Sequence, residues 1–145
     1  MKRFLFVVIL LLSLFAIVQY IKNDTSIQSK AQPADAITMT VLAKNLEIPW
    51  AFDFLPDGNI IFTERPGRVS VLNPKTGTVT RIATIPGVRA NKESGLLGIV
   101  IHPQFATNNY VYIYYTYESG GVKNKIERYT LTNNQLTNPK TIIDG

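Results

Sequence analysis

"AFDFLPDGNIIFTERPGRVSVLNPKTGTVTRIATIPG", residues 51–87, decides the fold. Short β-prone runs alternate in it with turn chemistry. Pro56-Asp57-Gly58, Pro66-Gly67 and Lys75-Thr76-Gly77 cut the stretch into four runs, and each ends on a glycine that can take positive φ. The pattern then recurs in "GIVIHPQFATNNYVYIYYTYESGGVKNKIERYTLTNNQLTNPKTIIDG", residues 98–145. Pro56 matches Pro103, Ile60 matches Val111, Val69 matches Ile126 and Gly87 matches Gly145. The separation widens along the copy because the second unit has longer loops, at Phe105–Asn109 and Glu118–Lys125. Four strands per unit, repeating at about 45–55 residues, is the spacing of a β-propeller blade.

Working outward, strands are also expected at "ITMTVLA" (37–43) and "PWAFDFL" (49–55), and the last at "KIERYTLT" (125–132) and "PKTIID" (139–144). No window longer than ten residues in this region has helical spacing. The expected class is all-β, with residues 38–145 forming a partial propeller. Propellers close with about four to eight blades. Two blades alone would leave two apolar faces larger than the few hundred Å² a soluble monomer tolerates. The chain therefore reads as the first two blades of a longer protein.

The other end of the sequence has a different character. Lys2 and Arg3 precede fifteen residues, Phe4 to Val18, among which only Ser13 is polar. As a helix this run is roughly 22 Å long, and roughly 27 Å if carried across Gln19 to Ile21, against a hydrocarbon core of about 30 Å. Residues 1–21 read as a signal peptide or an uncleaved membrane anchor. Small-residue patterns at Ser29-Lys30-Ala31 and Ala34-Asp35-Ala36 sit late for cleavage. Residues 22–37 are a polar linker. Either fate of the helix puts the remainder outside the cytoplasm, with Lys2 and Arg3 inside.

Composition removes several classes. Fifteen Lys plus Arg against ten Asp plus Glu give a net charge of +5, spread without a basic run. That is not the clustered footprint of a nucleic-acid binder. There is no cysteine and one histidine, so disulfides, thiol catalysis and Cys-based zinc sites are absent, and a transition-metal site is not expected.

Two segments together carry a family resemblance. "IPWAFDFLPDGNIIFTERPGRVSVLNP" (48–74) followed by "SGLLGIVIHPQFATNNYVYIYYT" (94–116) resembles the glucose/sorbosone dehydrogenase family. Its members are exported six-bladed propellers that oxidise aldose sugars with pyrroloquinoline quinone (PQQ) and calcium. The resemblance covers roughly residues 41–145. It rests on the Pro-Trp opening, the Pro-Asp-Gly turn, Thr63-Glu64-Arg65, the Gly-Leu-Leu-Gly step and His102-Pro103. It implies hydride removal from the anomeric carbon, with a histidine taking the hydroxyl proton. It also implies that the segment holding that histidine lies after Gly145, with the calcium ligands and most cofactor contacts. The chain as given is then expected to hold no PQQ, calcium or other metal, and to lack activity. The whole protein would meet an aldose sugar and an electron acceptor, and the membrane if the N-terminal helix is uncleaved.

One residue here matches a sugar-contacting position of the family. Where relatives usually carry glutamine two residues before Gly-Leu-Leu, this chain has Glu93. An ionised glutamate only accepts hydrogen bonds, whereas glutamine also donates, so the substitution bears on which hydroxyls are held. The plainer reading of Glu93 is an exposed loop carboxylate beside Lys92. His102 reads as scaffold: Pro103 biases it toward extended backbone, and no carboxylate lies within three residues. Trp50 is expected in packing, and Tyr110, Tyr112 and Tyr114 on the strand face opposite Tyr115 and Tyr117. Arg65 and Arg68 flank a turn and could hold an anion, or lie on a solvated hairpin. The alternative function is a non-catalytic, exported or membrane-tethered propeller used for binding.

Overall fold

The computed structural model describes residues 15, 17–20 and 37–145. Phe15 and residues 17–20 are helical. The rest of the expected export segment, and residues 22–36 of the linker, lie outside the described residues. Among the described residues no helix is long and apolar enough to cross a membrane.

Eight strands follow: β1 (Pro49–Phe54), β2 (Ile60–Glu64), β3 (Arg68–Asn73), β4 (Thr78–Thr84), β5 (Leu96–Ile101), β6 (Tyr110–Glu118), β7 (Val122–Thr132) and β8 (Gln135–Asp144). They form two antiparallel four-stranded meanders, ordered β1-β2-β3-β4 and β5-β6-β7-β8. The turns form where the sequence placed them. Gly58, Gly67 and Gly77 all have positive φ, and Asp57 caps its turn by accepting the Asn59 N–H at 2.9 Å. A single helical turn, Phe105–Asn108, fills the longer β5–β6 connection.

Two expectations need correction. Residues 37–43 join neither sheet, and Ile37 and Met39 are over 90 % exposed. Alternation gives a strand two faces, but a strand exists only when an edge accepts its hydrogen bonds. β7 and β8 are also longer than the expected 125–132 and 139–144. Asn133 and Asn134 both take left-handed backbone, with φ 51° and 56°. That makes a two-residue hairpin turn, so pairing runs up to Thr132 and Gln135.

The repeat holds at the level of register. Phe54 pairs with Ile60 and Phe52 with Phe62 in the first sheet. Ile101 pairs with Val111 and Ile99 with Ile113 at the matching places in the second. Leu72 opposite Ile60 corresponds to Tyr129 opposite Val111.

The core lies between the two sheets. Leu55, Ile61, Val69, Ile82 and Ile85 of the first unit meet Leu96, Ile99, Val111, Ile113, Tyr115 and Tyr129 of the second. Each such side chain contributes about 1.5–3 kcal/mol on burial. Polar joints fix how the sheets meet. Asp53 Oδ2 accepts the Ile101 N–H at 2.9 Å, Thr63 Oγ1 donates to Leu97 O at 3.5 Å, and Arg65 O accepts the Leu96 N–H at 2.9 Å. The start of β5 thus lies against the β2–β3 turn, and its end against the end of β1. One end of the pair therefore carries the β2–β3, β4–β5 and β6–β7 connections. The opposite end carries the others.

Each sheet keeps one open face. On the first, Trp50, Phe52 and Phe54 are exposed by 47 %, 62 % and 61 %. They line an apolar hollow with Leu42, Leu46, Ile60, Phe62 and Leu72. On the second, Val100, Tyr114 and Ile143 are exposed.

Candidate functional site

The end formed by the β2–β3 turn and the β4–β5 connection gathers the charged residues of interest. Glu64 closes β2 and is buried. Its Oε2 accepts from Arg68 Nε and its Oε1 from Arg68 Nη2, both at 3.1 Å. The Glu47 N–H adds a third bond to Oε1 at 2.6 Å. Glu47 Oε2 in turn takes Arg68 Nη2 at 2.5 Å. Burial alone would push the Glu64 carboxyl up. The Arg68 hydrogen bond, the Glu47 N–H and the charges of Arg68 and Arg81 outweigh it, and hold the carboxyl below its usual range. Arg68 is correspondingly raised, first by its hydrogen bond to Glu64 and then by that to Glu47. Arg68 is thus committed to the two carboxylates through Nε and Nη2.

Arg65 is committed differently. Its Nη1 donates to Lys92 O, in the β4–β5 connection. Its Nε is buried without a hydrogen-bond partner. The connection is tied at several further points: the Ile85 N–H donates to Gly67 O and the Arg89 N–H to Thr116 O, each at 2.8 Å. The Arg89 side chain pairs with Glu118 at 2.8 Å. Asn91 to Ser94 make a turn, the Ser94 N–H reaching Asn91 O at 2.9 Å, with Lys92 in left-handed backbone at φ 53°.

Glu93 is the crest of that turn. It is exposed, and its carboxylate has no hydrogen-bond or ion-pair partner among the described residues. Lys92 beside it is exposed too. The Gly-Leu-Leu-Gly step that follows has a steric reason. A Cβ on Gly95 would lie 2.4 Å from Arg65 Cγ and 2.6 Å from Arg65 O, and Gly95 has φ 154°. A Cβ on Gly98 would lie 3.0 Å from Tyr114 Cβ. Leu96 between them is fully buried.

His102 belongs to the opposite end. β5 separates it from Glu93 by six strand residues, about 20 Å. Its Nδ1 accepts the Gln104 N–H at 2.9 Å and lies 2.9 Å from Asn108 Nδ2. Accepting at Nδ1 leaves the proton on Nε2. The ring stacks on Tyr112, with centroids 6.1 Å apart. His102 therefore organises the β5–β6 connection, and among the described residues no carboxylate is bonded to it.

The tyrosines divide as their alternation indicates. Tyr115 is buried in the core, while Tyr114 points to the open face. Sequence reading missed what Tyr115 meets. Tyr115 and Tyr129 both donate to Glu127 Oε2, at 3.0 and 2.6 Å. Burial first, then the hydrogen bond and charge of Glu127, raise both phenols well above their ordinary range. Glu47 was missed too. Both acids act across strands or turns, and local sequence carries no signal for that.

The fit to the expected cofactors is poor in this part of the protein. Among the described residues no group of three or more His, Cys, Asp or Glu side chains is placed to hold a metal ion. The arginines nearest Glu93 are already engaged by Lys92 O and Glu118.

Comparison with known proteins is consistent throughout. The family model "Glucose / Sorbosone dehydrogenase" matches residues 46–145. An uncharacterised protein of Synechocystis sp. is 31% identical over 131 residues, covering 84% of this chain and 31% of that protein. Quinoprotein glucose dehydrogenase B of Acinetobacter calcoaceticus is 33% identical over 112 residues, covering 70% of this chain and 23% of that one. The PQQ-bound aldose sugar dehydrogenase of Streptomyces coelicolor superposes with a TM-score of 0.70 at 31% identity, over 75% of this chain and 34% of that one. The chain spans about a third or less of the length of each of these relatives. With its residues 46–145 matched throughout, the chain belongs to the glucose/sorbosone dehydrogenase family.

Proposed function

We propose that this chain is the N-terminal part of an exported PQQ-dependent dehydrogenase that oxidises aldose sugars at the anomeric carbon, with Glu93 contacting the sugar. The observation that carries the proposal is the state of Glu93. Most other acidic side chains at this end are spent on arginines or backbone N–H groups, whereas Glu93 stands exposed and unpaired on a tied-down turn. Such a carboxylate accepts hydrogen bonds from sugar hydroxyls.

PQQ would supply the redox chemistry, and calcium would bind through oxygen ligands. Neither is assigned to the described residues, and neither is a catalytic base. These belong to sequence beyond this chain, in further blades. The open apolar face of the first sheet supports that arrangement, because its positions match residues of the second sheet that are buried between the two. This chain alone is then inactive. Export rests on Lys2, Arg3 and the apolar run that follows.

The test is reconstitution of the complete protein that contains these residues. PQQ- and calcium-dependent aldose oxidation, with an artificial electron acceptor, is the result expected. A complete protein that folds but neither binds PQQ nor oxidises any aldose would favour the binding-module alternative instead.

A further inference from the structure

The β4–β5 connection is not held by its own residues alone. Its crest is gripped by Arg65, a residue of the preceding turn and 27 positions away in sequence. Arg65 makes three kinds of contact there. Its Nη1 donates to Lys92 O, the carbonyl immediately before Glu93. Its backbone O accepts the Leu96 N–H at 2.9 Å, immediately after the turn. Its Cγ and O occupy the space where a side chain on residue 95 would begin, 2.4 and 2.6 Å from that Cβ position. The Nε is buried with no acceptor. Its N–H is thus shielded from water with nothing in return, so this is not a solvated hairpin arginine.

We propose that Arg65 is a positioning residue for Glu93. It clamps the turn at Lys92 and Leu96, and Gly95 is glycine so that the clamp can close. This rests on the reading of Glu93 as the sugar contact, but the clamp itself can be tested without any sugar. A loop that carries a binding carboxylate gains from being ordered beforehand, because the ordering entropy is then not charged against the ligand. The tie is specific in direction. The turn's own bond, Ser94 N–H to Asn91 O, closes the crest but does not anchor it to the sheet.

The experiment is amide hydrogen exchange on the complete protein that contains these residues, comparing wild type with Arg65→Met, Arg65→Lys, Gly95→Ala and Glu93→Gln. Arg65→Met keeps the aliphatic packing and removes the donor. It should speed exchange at Ser94 by roughly tenfold or more, the scale of one hydrogen bond from a charged donor, and less at Leu96, whose acceptor is the backbone O of residue 65. Amides of Ile99, Val111 and Ile113 should be unchanged. Arg65→Lys, which still carries a donor on a long stem, should restore part of the protection. Gly95→Ala should speed exchange at Ser94 and also at Leu96, because its Cβ would displace both the side chain and the backbone O of Arg65. Glu93→Gln should leave exchange as in wild type. Unchanged exchange at Ser94 in Arg65→Met would overturn the clamp, and so would equal loss throughout β5 and β6. The reading of Glu93 stands or falls separately, on sugar binding by the complete protein with Glu93→Ala.

Discussion

Glu64 is 5 % exposed at the end of β2, with both carboxylate oxygens on Arg68. Its pKa is depressed in the folded state, so the stabilisation it gives is present above the ordinary glutamate value of about 4.3. That stabilisation is lost as pH falls through the lower folded value. Glu64→Gln should cost about 3 kcal/mol at neutral pH, because it leaves Arg68 half-buried with only the exposed Glu47 as partner. Urea unfolding should show this deficit shrinking in acid, where the wild-type carboxyl is also protonated. The sequence could not announce the pair. Thr63-Glu64-Arg65 is recognisable as a motif, yet which arginine answers Glu64 is settled by the turn, which brings Arg68 back opposite it. Glu93 is the opposite case: it has no partner among the described residues, and its assignment to the sugar rests on the family resemblance. His102 shows a third case. Pro103 and the lack of a nearby carboxylate in sequence already mark it as scaffold, and the hydrogen bonds at Nδ1 show what it holds, Gln104 and Asn108. His102→Ala should therefore destabilise the fold by about 1 kcal/mol while leaving the Glu93 turn, at the far end of β5, unaltered in hydrogen exchange.

At the scale of the element, the meanders follow from turn chemistry and alternation, and both were readable. Glycine at positions 58, 67 and 77 takes positive φ where the turns require it. Alternation in "YVYIYYTYE" correctly sends Val111, Ile113 and Tyr115 to one side. It failed for residues 37–43, because alternation describes a strand's faces and says nothing about a partner edge. It fell short at Asn133-Asn134, read as loop, where two left-handed asparagines make a tight hairpin. The glycines of Gly-Leu-Leu-Gly differ in what they avoid. Gly95→Ala should be the more destabilising, since backbone and side chain of Arg65 both block it and its φ is left-handed. Gly98→Ala meets one Tyr114 Cβ at 3.0 Å. Comparing their urea midpoints checks that order. Tyr115 and Tyr129 give β6 and β7 an alkaline limit. Their folded pKa values are raised by burial and by Glu127, so their contribution is complete below about pH 10 and is lost as pH rises beyond it. Tyrosinate absorbance for these two should appear only with unfolding.

For the whole molecule, the repeat is the organising fact. Ile99, Ile113 and Val111 of the second sheet are buried against the first, while Phe52, at the register position of Ile99, is exposed on the outer face of the first sheet. Val111→Ala should then cost about 2–4 kcal/mol in this chain, as a core truncation does. Phe52→Ala should cost well under 1 kcal/mol here, because its ring is already in water. Denaturant unfolding of the two variants separates a true interior from a face that awaits one. What the sequence left unread at this scale is the polar joinery, Asp53 to Ile101 and Thr63 to Leu97, which links residues far apart in the chain.

The measurement with the most direct bearing on function is steady-state kinetics of the complete, PQQ-loaded protein with Glu93 changed to Ala. If Glu93 holds the sugar, KM for aldoses should rise about tenfold or more, the loss of one or two hydrogen bonds to a charged group, with bound PQQ unchanged. KM and kcat both equal to wild type, with PQQ bound and the fold intact, would show that Glu93 is an idle loop carboxylate and that the substrate side of this family member lies elsewhere.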